Sequence, residues 1–217
     1  LRLDGDFTLE QARDLIVHVV MPSLAPALDG FEEALVEAKK FNLRVVIHNA
    51  PQSMRRLQKV AKEGGDLIIA GHSNHSNFTF DEALENARTL RGYGALIDVA
   101  TLDAWGAKRL MTDPDLLYEF YRQDLVDLLS TDFAGGFCDG VLVGVEMAVK
   151  VGAVSLAKAV ATCTSRVAEV LPLLAPERGL IARDMIADLA ITDPVEVSKV
   201  QIMLIGGTVV VENGKRV

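Results

Sequence analysis

Long apolar runs are scarce in this 217-residue chain. None reaches the roughly 18 residues that a membrane-spanning helix needs. The chain also lacks a basic opening followed by an apolar stretch, the pattern of a secretory leader, so the expected location is the cytoplasm, with no membrane partner. Cysteine is nearly absent: Cys138 and Cys163 are the two present. They form no Cys-x-x-Cys metal pair and no disulfide framework, as suits a reducing compartment. Positive charge is in deficit, with 22 Lys and Arg against 30 Asp and Glu, a net charge of −8 and a pI near 5.0. The basic residues are scattered rather than clustered, which argues against a nucleic-acid partner. What the chain does have is apolar content, 50% of its residues, enough to bury a core.

That apolar content is arranged in short runs rich in Val, Ile and Leu, alternating with amphipathic helical patterns. The runs are Leu15 to Met21, Leu43 to Ile47, Leu67 to Ala70, Ala95 to Val99 and Leu125 to Leu129. Alternation of this kind predicts β/α units and a parallel sheet covered on both faces. Helix signals lie between the runs. Thr8-Leu-Glu-Gln and Thr79-Phe-Asp-Glu have the form of capping boxes, in which the Thr hydroxyl and the side chain three residues on satisfy orphan backbone donors. Asp29 can cap a helix through Phe41, and Gly64-Gly65 and Gly92 stand where helices stop. Helices are also expected over Val141 to Val151 and over Ser155 to Leu171, the second with a Ser cap. Tyr118 and Tyr121, at helical spacing, are expected to pack in the core, as is His18, inside an apolar run.

Beyond Pro172 the pattern changes. Glu177 to Thr192 and Ile202 to Lys215 contain short β-rich runs with Gly206-Gly207 and Asn213-Gly214 between them, the chemistry of antiparallel hairpins. Two domains are therefore expected: residues 1–174, an α/β unit carrying the site, and residues 175–217, a small β region.

The chemistry-bearing residues stand at strand ends. Leu43-Arg-Val-Val-Ile-His ends in His48, Asp66-Leu-Ile-Ile-Ala-Gly-His ends in His72, and Leu125-Val-Asp-Leu-Leu-Ser-Thr-Asp ends in Asp132. Successive parallel strands open on one face of a barrel, where such barrels build their active sites. Two imidazoles and a carboxylate on that face suggest a divalent metal. His75 competes with His72; His72 lies closer to the strand end and is taken as the ligand, while His75 and Asn74 are expected to face substrate. Asp132 read alone could cap a turn. Gly135-Gly136 and Gly140, which come after it, suit either a phosphate or a plain turn.

These features together resemble the amidohydrolase superfamily of metal-dependent hydrolases. The resemblance rests on the order His48, His72, Asp132, on spacings of one and then two β/α units, and on the ending Arg178-Gly-Leu-Ile, Ala187-Asp-Leu-Ala-Ile and Gly206-Gly-Thr-Val-Val-Val-Glu-Asn-Gly. Around Gly71-His-Ser-Asn-His-Ser-Asn the sequence is most similar to adenine deaminases, N-acetylglucosamine-6-phosphate deacetylases and the triphosphate diphosphatases of phosphonate metabolism. The resemblance implies a (β/α)8 TIM barrel of which about the last five β/α units are present, joined to the C-terminal strands of a small β-sandwich. A closed barrel needs eight strands and about 250 residues, so the chain reads as a C-terminal portion of a larger protein or a reduced relative of one.

The resemblance also implies roles. His48 and His72 would hold one or two divalent ions, zinc first and manganese or iron as alternatives. Asp132 would bind metal or act as the proton-transferring base. The expected activity is hydrolysis of a C–N bond, of deaminase or deacetylase type, in a small polar substrate, by a protein expected to be a homo-oligomer. Two departures stand against the pattern. The His-x-His of the first barrel strand is absent, and Leu15 to Met21 leads into Pro22-Ser-Leu-Ala-Pro rather than into a Lys or Glu. A catalytically silent barrel fragment, serving as a binding or structural module, is the alternative.

Overall fold

The computed structural model describes residues 8, 11, 24–102, 114–133, 139–174 and 176–217. The expected first strand, Leu15 to Met21, lies outside the described residues, as do His18, Gly135-Gly136 and Cys138. From Leu24 onward the chain is a mixed α/β arrangement: α1 (Leu24–Phe41), β1 (Val45–His48), α2 (Met54–Gly64), β2 (Ile68–Gly71), α3 (Phe80–Gly92), β3 (Leu96–Ala100), α4 (Pro114–Arg122), β4 (Leu128–Ser130), α5 (Val141–Lys150), α6 (Leu156–Ala161) and α7 (Ser165–Val170). Four further strands end it, β5 (Leu189–Thr192), β6 (Val200–Ile205), β7 (Thr208–Glu212) and β8 (Lys215–Arg216).

Strands β1 to β4 pair in sequence order, all parallel, so each strand lies beside its successor. Side chains alternate between the sheet's two faces, and the buried residues divide accordingly. Ile47, Ile68, Ala70, Ile97, Val99 and Leu129 join the helices in the main core, centred on Leu57, Leu90, Leu117 and Phe120. Ile69, Leu96 and Leu128, on the opposite face, pack against Val170 of α7. Arg44 fastens the lower end of this face. Its guanidinium donates to the Val170 carbonyl at 2.7 Å and to the Asp66 carboxylate at 2.9 Å.

The helix ends obey local chemistry. Thr79 and Glu82 form the full capping box at the start of α3. Thr8 and Gln11 exchange the corresponding pair of bonds at 3.0 and 3.2 Å. Two expectations are corrected. Asp29 does not cap α1, which begins at Leu24 with Pro26 in its first turn, where a missing N–H costs nothing; Asp29 instead pairs with Arg56 of α2. The stretch Ser155 to Leu171 is two helices rather than one. Ser155 does cap α6, but the Thr162 carbonyl turns out to accept the Leu129 N–H of β4 at 3.0 Å. The Thr162 and Thr164 hydroxyls take up the carbonyls of Ala159 and Val160 instead. Tyr118 and Tyr121 are buried in the main core, as their spacing predicts.

The tail forms the antiparallel sheet β5-β6-β7-β8, with turns at Gly206-Gly207 and at Asn213-Gly214. All four turn residues adopt positive φ, which explains the glycines at three of the positions. Glu146 of α5 secures this region by accepting the Ser198 N–H at 2.8 Å while it is paired with Lys150.

Candidate metal centre at the strand ends

The parallel register sets the upper rim of the sheet. His48 and Gly71 are paired neighbours at the ends of β1 and β2, so His72 emerges one residue later, beside His48. Gly71 permits this closeness: a Cβ there would stand 3.0 Å from a Val46 methyl and 3.4 Å from the Ile47 carbonyl oxygen. The chain then turns sharply. His72 has φ 38° and Asp132, beyond β4, has φ 46°. Both lie in the left-handed region, which a non-glycine residue occupies at a cost of about 1–2 kcal/mol. Strain of this kind concentrates at functional sites.

The turn gathers three imidazoles. His48, His72 and His75 each present a ring nitrogen, and these atoms lie within 4.8 Å of one another. His48 Nδ1 and His72 Nε2 are 2.6 Å apart. Two ring nitrogens at that distance share a proton in a hydrogen bond. On its other side, His72 Nδ1 stands 3.7 Å from Asp132 Oδ2. The His75 ring also accepts the Asn77 N–H at 3.0 Å through Nδ1, which leaves Nε2 as its other nitrogen. The residues expected as ligands, His48, His72 and Asp132, are thus brought together, and His75 joins the same cluster. Asn74, expected at the substrate, is buried, and its amide spans β3: the nitrogen donates to the Ala100 carbonyl at 2.9 Å and the oxygen accepts the Ala100 N–H at 2.8 Å.

Asp98 is the residue that sequence reading missed. It lies inside β3, where an apolar run conceals a single carboxylate. Its Oδ2 accepts the His72 N–H at 2.9 Å and the Ser130 hydroxyl at 3.0 Å, so it holds the strained His72 turn from below. Burial pushes this carboxyl up to about 6, against the opposing pull of those two donors. A carboxylate among Leu, Ile and Val in a parallel strand was the available signal, because a charge in that setting needs partners.

Neither family models nor curated sequences give a match; solved structures do. A β-aspartyl dipeptidase from Fervidobacterium islandicum AW-1, in complex with a β-Asp-Leu dipeptide, superposes with a TM-score of 0.63 at 19% identity, over 91% of this chain and 55% of that one. The two chains share a fold over that stretch. A 5-methylcytosine deaminase from Klebsiella pneumoniae gives 0.54 at 16% identity, over 88% of this chain and 54% of that one. An adenosine deaminase from Xanthomonas campestris, with bound zinc, gives 0.57 at 15% identity, over 88% and 50%. The chain therefore spans about half the length of the structures it matches. At these identities the likeness is one of fold, and no helix among the described residues is long and apolar enough to cross a membrane.

Proposed function

We propose that this chain carries the C-terminal part of a metal-dependent amidohydrolase that cleaves a C–N bond in a small polar substrate. The observation that carries the reading is the convergence of His48, His72 and His75 on one point at the rim of a parallel sheet, with Asp132 beside them. In this reading β1 to β4 are the last four strands of a (β/α)8 barrel, and β5 to β8 belong to a small β-sandwich. The proposed setting is a cytoplasmic homo-oligomer with neither nucleic acid nor membrane as partner.

The donor set fits a divalent cation. Neutral imidazole nitrogens suit zinc, with manganese and iron as alternatives, and three of them lie within 4.8 Å of one another. His48 and His72 would hold the ion, His75 being either a further ligand or a contact to substrate. Such an ion, when bound, lowers the pKa of water towards neutrality and polarises the bond to be broken. Asp132, partly exposed at the rim, accepts the proton of the attacking water and returns it to the leaving nitrogen. Asp98 keeps the His72 backbone in place while this occurs.

Elemental analysis of the complete protein, beside His48→Ala and Asp132→Asn, tests the reading. One or two equivalents of metal are expected in the wild type. The His48 variant should lose metal, and the Asp132 variant should retain it while losing hydrolysis of amides and amino-substituted rings by about a hundredfold or more. Wild-type protein that holds no metal after reconstitution would overturn the proposal.

A further inference from the structure

A chain of buried amides and hydroxyls runs beneath the histidines. Asn86 is buried on the otherwise apolar face of α3, among Ala83, Leu84, Ala87 and Leu90. Its Oδ1 accepts from Gln58 Nε2 of α2 at 2.9 Å, and its Nδ2 donates to Asn49 Oδ1 at 2.9 Å. Asn49 Nδ2 donates in turn to Ser73 Oγ at 3.0 Å, and the Ser73 hydroxyl donates to the Ala70 carbonyl at 2.9 Å. Asn49 and Ser73 are wholly buried. They are also the immediate C-terminal neighbours of His48 and His72.

A polar chain in this place is not what packing alone selects. An apolar residue at position 86 would continue the face of α3, whereas a buried amide is tolerated only when its bonds are made. Here they are made along one path, from two helices to the residues after the two histidines. Further bonds close the frame. The Asn49 N–H donates to the Gly71 carbonyl at 3.2 Å, and the Ser73 N–H to the Asp98 carbonyl at 2.7 Å. The Ser53 hydroxyl donates to the His48 carbonyl at 2.9 Å.

We propose that Asn86, acting through Asn49 and Ser73, is a positioning residue that sets the separation of His48 and His72 for the ion they share. The inference rests on the proposal that these histidines bind a metal. Cutting the link lets the two strand ends relax independently, so the imidazoles bind the same ion less well although neither has been altered. Residues that orient metal ligands from behind typically change metal affinity by about 10- to 100-fold.

The test uses Zn2+ and Co2+ as probes, added to the metal-depleted complete protein. Asn86→Leu preserves bulk and removes the link; Ser73→Ala deletes one oxygen at its far end and carries the test should Asn86→Leu fail to fold. Tyr121→Phe serves as control, because it breaks another buried bond, that between the Tyr121 and Thr162 hydroxyls at 3.0 Å. Expected are a Zn2+ Kd about 10- to 100-fold higher in both link variants, an altered Co2+ absorption spectrum, and wild-type values for both in Tyr121→Phe despite a lower melting temperature. Wild-type Kd and spectrum in the link variants would overturn the positioning role and leave the metal site standing. An equal loss in Tyr121→Phe would also overturn it, by showing that general softening weakens the site. A wild type that binds neither ion would overturn the metal site and the positioning role together.

Discussion

Strand β3 is buried at all five of its positions, whereas no residue of β5 to β8 is fully buried. Both sheets draw on Val, Ile and Leu, so composition does not separate them. The parallel sheet has helices over one face and α7 over part of the other. The antiparallel sheet leaves Ile191, Ile205 and Val209 open among the described residues. Rigidity is thus concentrated under the histidines. Every residue of β2 and β3 is buried, whereas β1 keeps Val46 open, so the order is greatest beneath His72.

The contrast can be broken most severely from within the core. Phe120→Ala, at a fully buried position, is expected to cost about 3–5 kcal/mol, read from the urea midpoint. Asp98→Ala should cost about 1–3 kcal/mol, because the His72 N–H and the Ser130 hydroxyl lose their acceptor; the same denaturation series measures it, and metal affinity should fall with it. The join between the two regions is tested by acid. Pairing with Lys150 and the Ser198 N–H holds Glu146 down to about 2, from an ordinary 4.5. Its contribution is therefore complete above 4.5 and lost as pH falls towards 2. Melting temperature plotted against pH should drop less over that interval in Glu146→Gln than in wild type. The smallest effect belongs to the open sheet: Ile205→Ala should shift the urea midpoint by an amount worth about 0.5 kcal/mol or less. A loss as large as that of Phe120→Ala would show the tail sheet to be covered in solution.

Much of this arrangement was legible in the sequence, for identifiable reasons. The described parallel strands fall within three residues of the expected runs, since strands of a covered parallel sheet are built mainly from Val, Ile and Leu. Thr79 and Ser155 mark helix starts because the bonds that make a cap are local. The break at Thr162 was not legible. Nothing in Ala161-Thr-Cys-Thr tells that a carbonyl is needed by β4, an interaction with Leu129, more than thirty residues away in sequence. The histidines and Asp132 could be found from their places after apolar runs. Asp98 left one trace, a lone carboxylate in an apolar run, but its role and that of Asn86 depend on partners 26 and 37 residues distant.

The left-handed backbone at His72 and Asp132 sets a limit on how this rim can change over evolutionary time. At either position Gly would relieve the strain and Asn would tolerate it, whereas Val, Ile or Thr would worsen it. On backbone grounds alone drift runs downhill only towards Gly, and a homologue that has kept His and Asp there has done so against that slope. The same slope gives protein engineers an assay of strain: His72→Gly should melt above His72→Ala, and the gap between them measures what a Cβ costs at this backbone conformation.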